Sequence, residues 1–333
     1  MAKKATKKVN KEEKAVATPK IPVYMRKIHP ILNRYEFILL FDVRNGNPNG
    51  DPDAGGMPRV NPITMTGLVS HGCQKRKVRN YVALVYPGRK GFEIYIKYDK
   101  CLNNKDAEAG DACGVGDQIR KIQQESNEAP KKIGTEMKKN DPFIDRRIVD
   151  YLCDTYFDIR TFGGVITTLK KGNLNNGQII GPVQFCPAES VDPIDPQEIT
   201  ITRCAITKES DAEKKDTEFG SQWIVPYGLY RAHGYVSACL AEKTGFSEDD
   251  LTVLWESIMN MFEHDHAAMR GEMAVRKLII FKHESKYGNA PAHKLFDAVK
   301  VEKKEGVEIP QSFDDYTVSI GDIPEKVQCI EMD

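Results

Sequence analysis

The sequence predicts an α+β fold in a ferredoxin-like order, in which elements follow one another as β, α, β, strand, α, β around long insertions. Alternating apolar residues indicate strands at residues 35–43 and 92–98, and a helix is expected between them over residues 66–84. Ser247 opens an amphipathic helix, and a strand near residues 273–282 follows it. Without its insertions, the chain is therefore expected to form an antiparallel sheet.

The first predicted strand leads directly into a loop rich in glycine and asparagine. Residues 35–43 carry apolar side chains on both faces, with Ile38 and Leu40 on the second face, so we expect a central strand. The loop NGNPNGDPDAGG follows it. Glycine lacks a Cβ and tolerates positive φ, so such a loop can bring its N–H groups close to a ligand. Three short amides of the loop can hydrogen-bond phosphate, sugar or base: Asn45, Asn47 and Asn49.

A basic segment follows this loop. The whole chain has 48 basic and 48 acidic residues, yet residues 54–92 contain seven basic residues and no acidic one. Phosphate-binding surfaces need lysine and arginine without competing carboxylates. Lys75, Arg76 and Arg79 fall within about 100° of arc on the predicted helix, and we predict that they and Arg59 contact phosphate. The neutral total charge argues against a histone-like binder. RNA-recognition (RRM) folds share the predicted element order and bind single strands on an open sheet.

The composition is that of an ordinary globular chain. A length of 333 residues fits two domains or one domain with long insertions. No apolar run approaches the roughly 18 residues that span a bilayer, and the N-terminus lacks a signal-peptide core, so a cytoplasmic location without membrane contact is expected. The eight cysteines form no CxxC pair and no zinc-finger spacing. We therefore expect reduced thiols, no metal and no cofactor.

Three segments have distinct compositions: an N-terminal arm, and two stretches within the predicted palm domain, residues 31–330. Residues 1–30 are rich in lysine and poor in large apolar groups, which predicts a disordered basic arm, either a solubilising tail or a nucleic-acid contact. Residues 99–140 are polar and dotted with glycine, which predicts an inserted, partly mobile lobe. Asp141 and Pro142 then begin a helix through about residue 158. Strand-like runs within 165–225 predict hairpins, including a projecting one at about 186–223.

Seven sequence blocks follow one another over residues 33–330: NRYEFILLFDVRNGNPNGDPDAGGMPRV, QKRKVRNYV, DIRTFGGV, GPVQF, ITITRCAIT, IVPYGLYRAHGYVSA and EHDHAAMRGEMA. In this order they resemble one known family, the Cas family seven backbone subunit of the type I-C CRISPR Cascade complex, in the RAMP superfamily. The resemblance implies a modified RRM fold with large inserted lobes, likened to fingers, palm and thumb. It also implies a non-catalytic subunit whose copies polymerise along one CRISPR RNA beside other Cascade subunits. The bound guide would then pair with a complementary target DNA strand.

The block DIRTFGGV suggests a further RNA contact. Arg160, Thr161 and Phe162 can place a guanidinium on phosphate and a ring against a base, because stacking tolerates any sequence. The alternative is that the following glycines end a helix, with Arg160 paired to Asp158 and Phe162 in the core.

Two strand residues complete the candidate RNA-binding set. Gln184 lies beside the predicted thumb, where a nucleic-acid contact and a plain ladder position in a hairpin explain it equally. Arg231 and His233 alternate with Tyr230 and Ala232, so one strand face presents polar groups toward RNA or a neighbouring subunit.

Other functions remain open from the sequence. Asp51 and Asp53 lie in the glycine loop, and backbone subunits of type III complexes use a loop aspartate to cut RNA with a metal ion. No nearby histidine or lysine completes a general acid, so catalysis is not expected. The run of residues 263–266 contains two histidines at i and i+2, which point to different sides of a helix and do not make a metal pair. A stand-alone RNA-binding regulator is the third alternative.

Overall fold

The computed structural model describes residues 29–98, 100–175, 177–205 and 218–333. The basic arm predicted over residues 1–30 lies almost entirely outside these residues, as does part of the predicted projecting hairpin. Among the described residues, no helix is long and apolar enough to cross a membrane.

Strands and helices are numbered along the chain. The strands are β1 Tyr35–Gly46, β2 Thr66–Val69, β3 Gly163–Val165, β4 Gln178–Ile180, β5 Val183–Phe185, β6 Ala188–Pro193, β7 Gln197–Arg203, β8 Glu218–Val236, β9 Glu272–His283, β10 Val299–Lys303, β11 Tyr316–Ile320 and β12 Val327–Met332. The helices are α1 His71–Val85, α2 Leu102–Ala112, α3 Gly116–Gln124, α4 Ala129–Asn140, α5 Ile144–Thr155, α6 Phe157–Phe162, α7 Thr167–Lys171, α8 Ala238–Thr244, α9 Glu248–Met259 and α10 Ala292–Asp297.

One antiparallel sheet organises the molecule, with strand order β12-β9-β1-β8-β6-β2, while β5 and β7 pair with other parts of β8. The prediction that the first strand is central is confirmed, because β1 lies between β8 and β9. Phe37, Leu39 and Phe41 enter a core that also contains residues of α1 and α9. Ile38 and Leu40 point to the opposite face and are fully buried there.

That opposite face of the sheet is covered by the C-terminal part of the chain. Ile38, Leu40 and Phe281 share a buried cluster with Leu295 and Phe296 of α10 and with residues of the β10–β11 hairpin. The expectation that an open sheet face binds single strands is therefore wrong. Burial removes these apolar side chains from water and so stabilises the fold. As a result, neither face of β1 is open to a ligand.

Two local predictions fail for reasons of strand pairing. The helix expected over residues 66–84 begins only at His71, because residues 66–69 pair with β6 as strand β2. Residues 92–98 do not form a strand: Glu93 makes one isolated bridge with Tyr156. Phe92 is buried at the start of this segment, while its far end, Tyr98, is 79% exposed.

Residues 102–171 form a helical lobe with its own hydrophobic cluster, which includes Ile119, Ile122, Ile148 and Leu152. Helix α5 begins after Asp141, whose carboxylate accepts the Phe143 N–H at 2.9 Å, and the helix ends at Thr155, before the expected end. The β7–β8 hairpin projects from the sheet, with every residue of β7 exposed.

The predicted helix after Ser247 and the strand after it are both present. Ser247 and Asp250 form a capping box at the start of α9, as their spacing predicts. Strand β9, Glu272–His283, follows and pairs with β1.

Candidate nucleic-acid interface

The glycine loop is joined to the N-terminus of α1. The Asn49 Oδ1 atom accepts the Ser70 N–H at 2.9 Å, and the Ser70 hydroxyl caps the helix by accepting the Cys73 N–H at 3.2 Å. Asn47 donates its side-chain N–H to the Gly56 carbonyl at 2.7 Å. The amides of Asn47 and Asn49 therefore hold the loop in shape, whereas Asn45 is exposed.

Some glycines of this loop adopt the positive φ that the sequence predicts. Gly55 and Gly56 adopt φ of 61° and 82°, in the left-handed region that favours glycine. Gly46 has no positive φ, but a Cβ there would lie 2.9 Å from the Met269 carbonyl oxygen. The loop thus packs closely against residues 262–271, and the Asn47 N–H donates to the same Met269 oxygen at 2.7 Å.

Lys75 and Arg76 are the cations of α1 that are free of carboxylates. In the described part of the chain, Lys77 pairs with Asp265 and Arg79 pairs with Asp158, while Lys75 and Arg76 take part in no ion pair. Arg76 is exposed. An unpaired cation on a helix face is available to a phosphate without first breaking an internal contact.

The ammonium group of Lys75 is held in place by two neutral neighbours. It donates to the Gln184 Oε1 atom at 3.3 Å and lies 5.3 Å from the centroid of the Phe162 ring. Gln184 donates in turn to the Gly181 carbonyl at 3.0 Å. Burial, and then the nearby Arg79 charge, lower the pKa of Lys75. A phosphate placed beside this group would favour its charged form.

Arg79 serves the fold, not a free phosphate-binding surface, which corrects its assignment. Its Nε donates to the fully buried Asp158 carboxylate at 2.8 Å, and its guanidinium lies 5.2 Å from the Phe162 ring centroid. Asp158 also accepts the Tyr95 N–H at 2.7 Å. The pair therefore joins α1 to the segment that leads into the helical lobe.

The block at residues 160–162 is likewise interior. The Arg160 side chain is fully buried and forms a bidentate pair with Asp250, at 2.6 and 3.0 Å. Thr161 is buried with no hydrogen-bond partner for its hydroxyl among the described residues, and Phe162 belongs to the core. The phosphate and base-stacking roles expected here are wrong in this conformation. The structural alternative is correct that Arg160 forms an ion pair and that Phe162 lies in the core. The partner of Arg160, however, is Asp250 and not Asp158.

Arg59 and Arg231 are also engaged by the protein. Arg59 pairs with Asp51 at 3.2 Å and is half-buried. Arg231 donates to the Phe296 and Val299 carbonyls at 2.6 and 3.0 Å. Arg231 thus fastens α10 to the covered face of the sheet. Because its guanidinium is engaged there, its contact with RNA or a neighbouring subunit stays a prediction.

A cavity of 260 Å³ lies between the glycine loop, α1 and residues 262–271. Three cations line it, namely Arg76, Lys77 and Arg270, together with Asn80 and a single carboxylate, Asp265. Asp265 bonds Lys77 and also accepts from Arg270 at 2.9 Å, so it positions both cations.

Sequence reasoning missed Arg270. Its own block, EHDHAAMRGEMA, contains a cation, but the fold was needed to bring it beside α1. Two of the aspartates considered for metal binding are engaged by cations. Asp51 pairs with Arg59, and Asp265 bonds Lys77 and Arg270. Among the residues that the structure describes, no group of three or more His, Cys, Asp or Glu side chains is placed to hold a metal ion.

The family model for CRISPR-associated protein Cas7 matches residues 33–321 of the chain. The chain belongs to the Cas7 family. A CRISPR-associated protein Cas7 from Haloferax volcanii is 22% identical over an alignment of 248 positions, which covers 69% of this chain and 65% of that relative's length. The membership of the Cas7 family that the seven sequence blocks indicate is thereby confirmed.

Two solved structures are similar to this Cas7-family chain. A chain of a CRISPR RNA-guided surveillance complex, described as pre-nicking, matches with a TM-score of 0.45 and 17% identity, covering 74% of this chain and 78% of that one. A chain of a type III-B Cmr-beta complex bound to cognate target RNA matches with a TM-score of 0.39 and 12% identity, covering 74% and 61%.

Proposed function

We propose that this Cas7-family chain is a non-catalytic backbone subunit that binds CRISPR RNA in a surveillance complex of the type I-C Cascade kind. Several copies lie side by side along the guide, with the β7–β8 hairpin acting as the thumb. The bound guide pairs with a complementary target DNA strand, and other Cascade subunits complete the particle. Sequence specificity then comes from base pairing, and the protein holds only the RNA backbone.

The unpaired cations of α1 carry this proposal. Lys75 and Arg76 have no carboxylate partner, and Arg76 lines a cavity with two further cations, Lys77 and Arg270. The surrounding sequence, residues 54–92, has no acidic residue. Such an arrangement favours a polyanion that is recognised by its charge, whatever its sequence. Three further residues complete the proposed contact set: Gln184, which accepts from Lys75, the half-buried Arg59 and the exposed Asn45.

A salt titration of single-stranded RNA binding tests the proposal. The double change Lys75→Ala and Arg76→Ala is expected to reduce the slope of log affinity against log salt by about 1.4, since each lost phosphate contact removes about 0.7. Lys300→Ala removes a similar charge from the exposed face of β10 and serves as the control. If the double variant keeps both the affinity and the slope of the wild type, the proposed interface is wrong.

Stoichiometry separates a backbone subunit from a stand-alone RNA-binding regulator. A regulator binds one RNA per molecule, whereas a backbone subunit saturates a guide-length RNA with several copies. Light scattering on the saturated complex gives the number of copies. Deletion of the paired part of the β7–β8 hairpin, residues 197–224, leaves β6 and the rest of β8 in the sheet, and it is expected to prevent the ordered filament while leaving binding of a single copy. One copy per guide-length RNA at saturation would exclude the backbone role.

A further inference from the structure

The cavity between the glycine loop, α1 and residues 262–271 contains neutral amides as well as cations. Three asparagines line it: Asn47, Asn49 and Asn80. Cations attract the phosphates of any strand, so they do not separate RNA from DNA. An amide oxygen can do so, because it accepts a hydrogen bond from the ribose 2′-hydroxyl, a group that DNA lacks. The choice between the two nucleic acids at this cavity therefore depends on its amides.

Two of the three asparagines are already engaged by the protein. The Asn49 Oδ1 atom accepts the Ser70 N–H at 2.9 Å. The Asn47 side chain donates to the Gly56 carbonyl, and its Oδ1 atom is buried out of reach of a ligand. One further neutral polar side chain of the lining, the Cys73 thiol, donates to the Pro48 carbonyl at 3.6 Å. These groups give the cavity its shape and are not free to bind a sugar.

Asn80 is the neutral lining group that remains available. It is exposed, and its side chain forms no hydrogen bond with any residue that the structure describes. Asn80 stands four residues after Arg76 on α1, so the two side chains share one helix face with Cβ atoms about 5–6 Å apart. In a nucleic acid each phosphate is bonded to the neighbouring sugar. A phosphate on the exposed Arg76 guanidinium therefore brings a ribose alongside the Asn80 amide.

We propose that Asn80 recognises the sugar of the bound strand by accepting a hydrogen bond from a ribose 2′-hydroxyl at its Oδ1 atom. This contact gives the interface a preference for RNA over single-stranded DNA. The inference rests on the proposed function, because the phosphate that places the ribose is the one held by Arg76. Arg76 contributes affinity for any phosphate chain, whereas Asn80 contributes specificity without adding charge.

Matched oligonucleotides test this role. Oligocytidine RNA, oligodeoxycytidine of the same length and 2′-fluoro oligocytidine differ at the 2′ position alone, and fluorescence anisotropy measures each affinity at one salt concentration. The 2′-fluoro sugar keeps an RNA-like pucker but has no proton to donate. The wild type is expected to bind the RNA about three- to tenfold more tightly than either analogue, which is the effect of one neutral hydrogen bond.

Variants at Asn80 separate its acceptor oxygen from its size. Asn80→Ala is expected to lower the affinity for RNA by this factor, leaving both analogues and the salt slope unchanged. Asn80→Asp keeps an acceptor oxygen and should retain the ratio of RNA to DNA affinity, although its negative charge weakens both. Asn80→Leu has a similar volume but no acceptor and should lose the ratio. Asn140→Ala, which removes an exposed asparagine from α4, is the control.

Arg76→Ala distinguishes this inference from the proposed function, since it should weaken RNA and DNA equally and reduce the salt slope by about 0.7. If it does so while Asn80→Ala keeps the wild-type ratio of RNA to DNA affinity, the sugar contact is wrong and the proposed function stands. If Asn80→Ala weakens RNA and DNA by the same factor, the amide binds phosphate and the ribose role is overturned. If Arg76→Ala changes nothing while Asn80→Ala removes the preference for RNA, the sugar contact stands and the phosphate contact of Arg76 is wrong.

Discussion

Arg160 and Asp250 form a fully buried, bidentate ion pair that joins α6 to α9, with nitrogen–oxygen distances of 2.6 and 3.0 Å. Asp250 also belongs to the capping box of α9, where it accepts the Ser247 N–H at 2.9 Å. The neighbouring Asp158 on α6 binds Arg79 of α1. Helix α6 is therefore joined to α1 by the ion pair of Asp158 with Arg79 and to α9 by the ion pair of Arg160 with Asp250.

Replacing Arg160 is expected to destabilise the protein without a specific effect on RNA binding. Arg160→Lys loses the bidentate geometry, and Arg160→Met leaves the Asp250 charge buried without a partner, at a cost of about 3–5 kcal/mol in the free energy of unfolding. Urea denaturation measures the loss. Lys286→Ala, which breaks the exposed pair with Glu242, is the control and is expected to change stability little. An Arg160→Met protein of wild-type stability but with a reduced salt slope for RNA would restore the phosphate-binding role.

Gly181 lies at a close approach of two backbone segments. A Cβ at this position would be 2.4 Å from the Gly163 nitrogen and 2.4 Å from the Thr161 carbonyl oxygen, and backbone atoms cannot yield as a flexible side chain can. Gly181→Ala is therefore expected to lower the melting temperature strongly or to prevent folding. Gly220→Ala on β8, where no atom lies within 4 Å of the added Cβ, is the control. Equal melting temperatures for both variants would contradict this packing.

The pH dependence of stability should contain a contribution from His233. Burial, and then the charge of Arg231, lower the pKa of His233 to about 4 from the ordinary 6.5. The Arg231 Nε donates to the His233 Nε2 at 3.0 Å, which requires a neutral ring, and that ring stacks on Phe296. Because the unfolded chain binds the proton more readily, this stabilisation is present above pH 6.5 and is lost as the pH falls toward 4. His233→Phe should flatten the curve of unfolding free energy against pH in this window. A curve of unchanged shape would exclude the assignment.

The sequence predicted those elements whose signals are local. The alternation of β1 and the Ser247 cap of α9 lie within a few residues, and both were identified correctly. Residues 66–69 were misjudged because their strand character depends on pairing with β6, more than a hundred residues away. Among the cations, Arg79 and Arg160 look as free as Lys75 in the sequence. Their carboxylate partners lie 79 and 90 positions further along the chain, so only the fold separates structural from available charges.

The nuclease alternative makes a distinct prediction for Asp51. This carboxylate pairs with Arg59 and accepts the Asp53 N–H at 3.2 Å, so it is engaged in shaping the loop. We expect no cleavage of bound RNA in the presence of Mg²⁺ or Mn²⁺, and we expect Asp51→Asn to change loop stability only. Denaturing gels of labelled RNA provide the measurement. Divalent-dependent cleavage by the wild type that Asp51→Asn abolishes would establish the endonuclease in place of the backbone subunit.

RNA binding should respond to pH through Lys75. Burial and Arg79 lower the pKa of this ammonium below its ordinary 10.5, so it loses its charge at a lower pH than a surface lysine does. The bases of a cytidine-only RNA lose no proton at alkaline pH. The affinity for this RNA is therefore expected to fall as the pH rises through the lowered pKa of Lys75, below 10.5. Lys75→Arg keeps the charge at every accessible pH, because a guanidinium remains protonated, and should remove the decline. Lys300→Arg on β10 is the matched control. An identical decline in the wild type and in Lys75→Arg would show that Lys75 does not hold a phosphate.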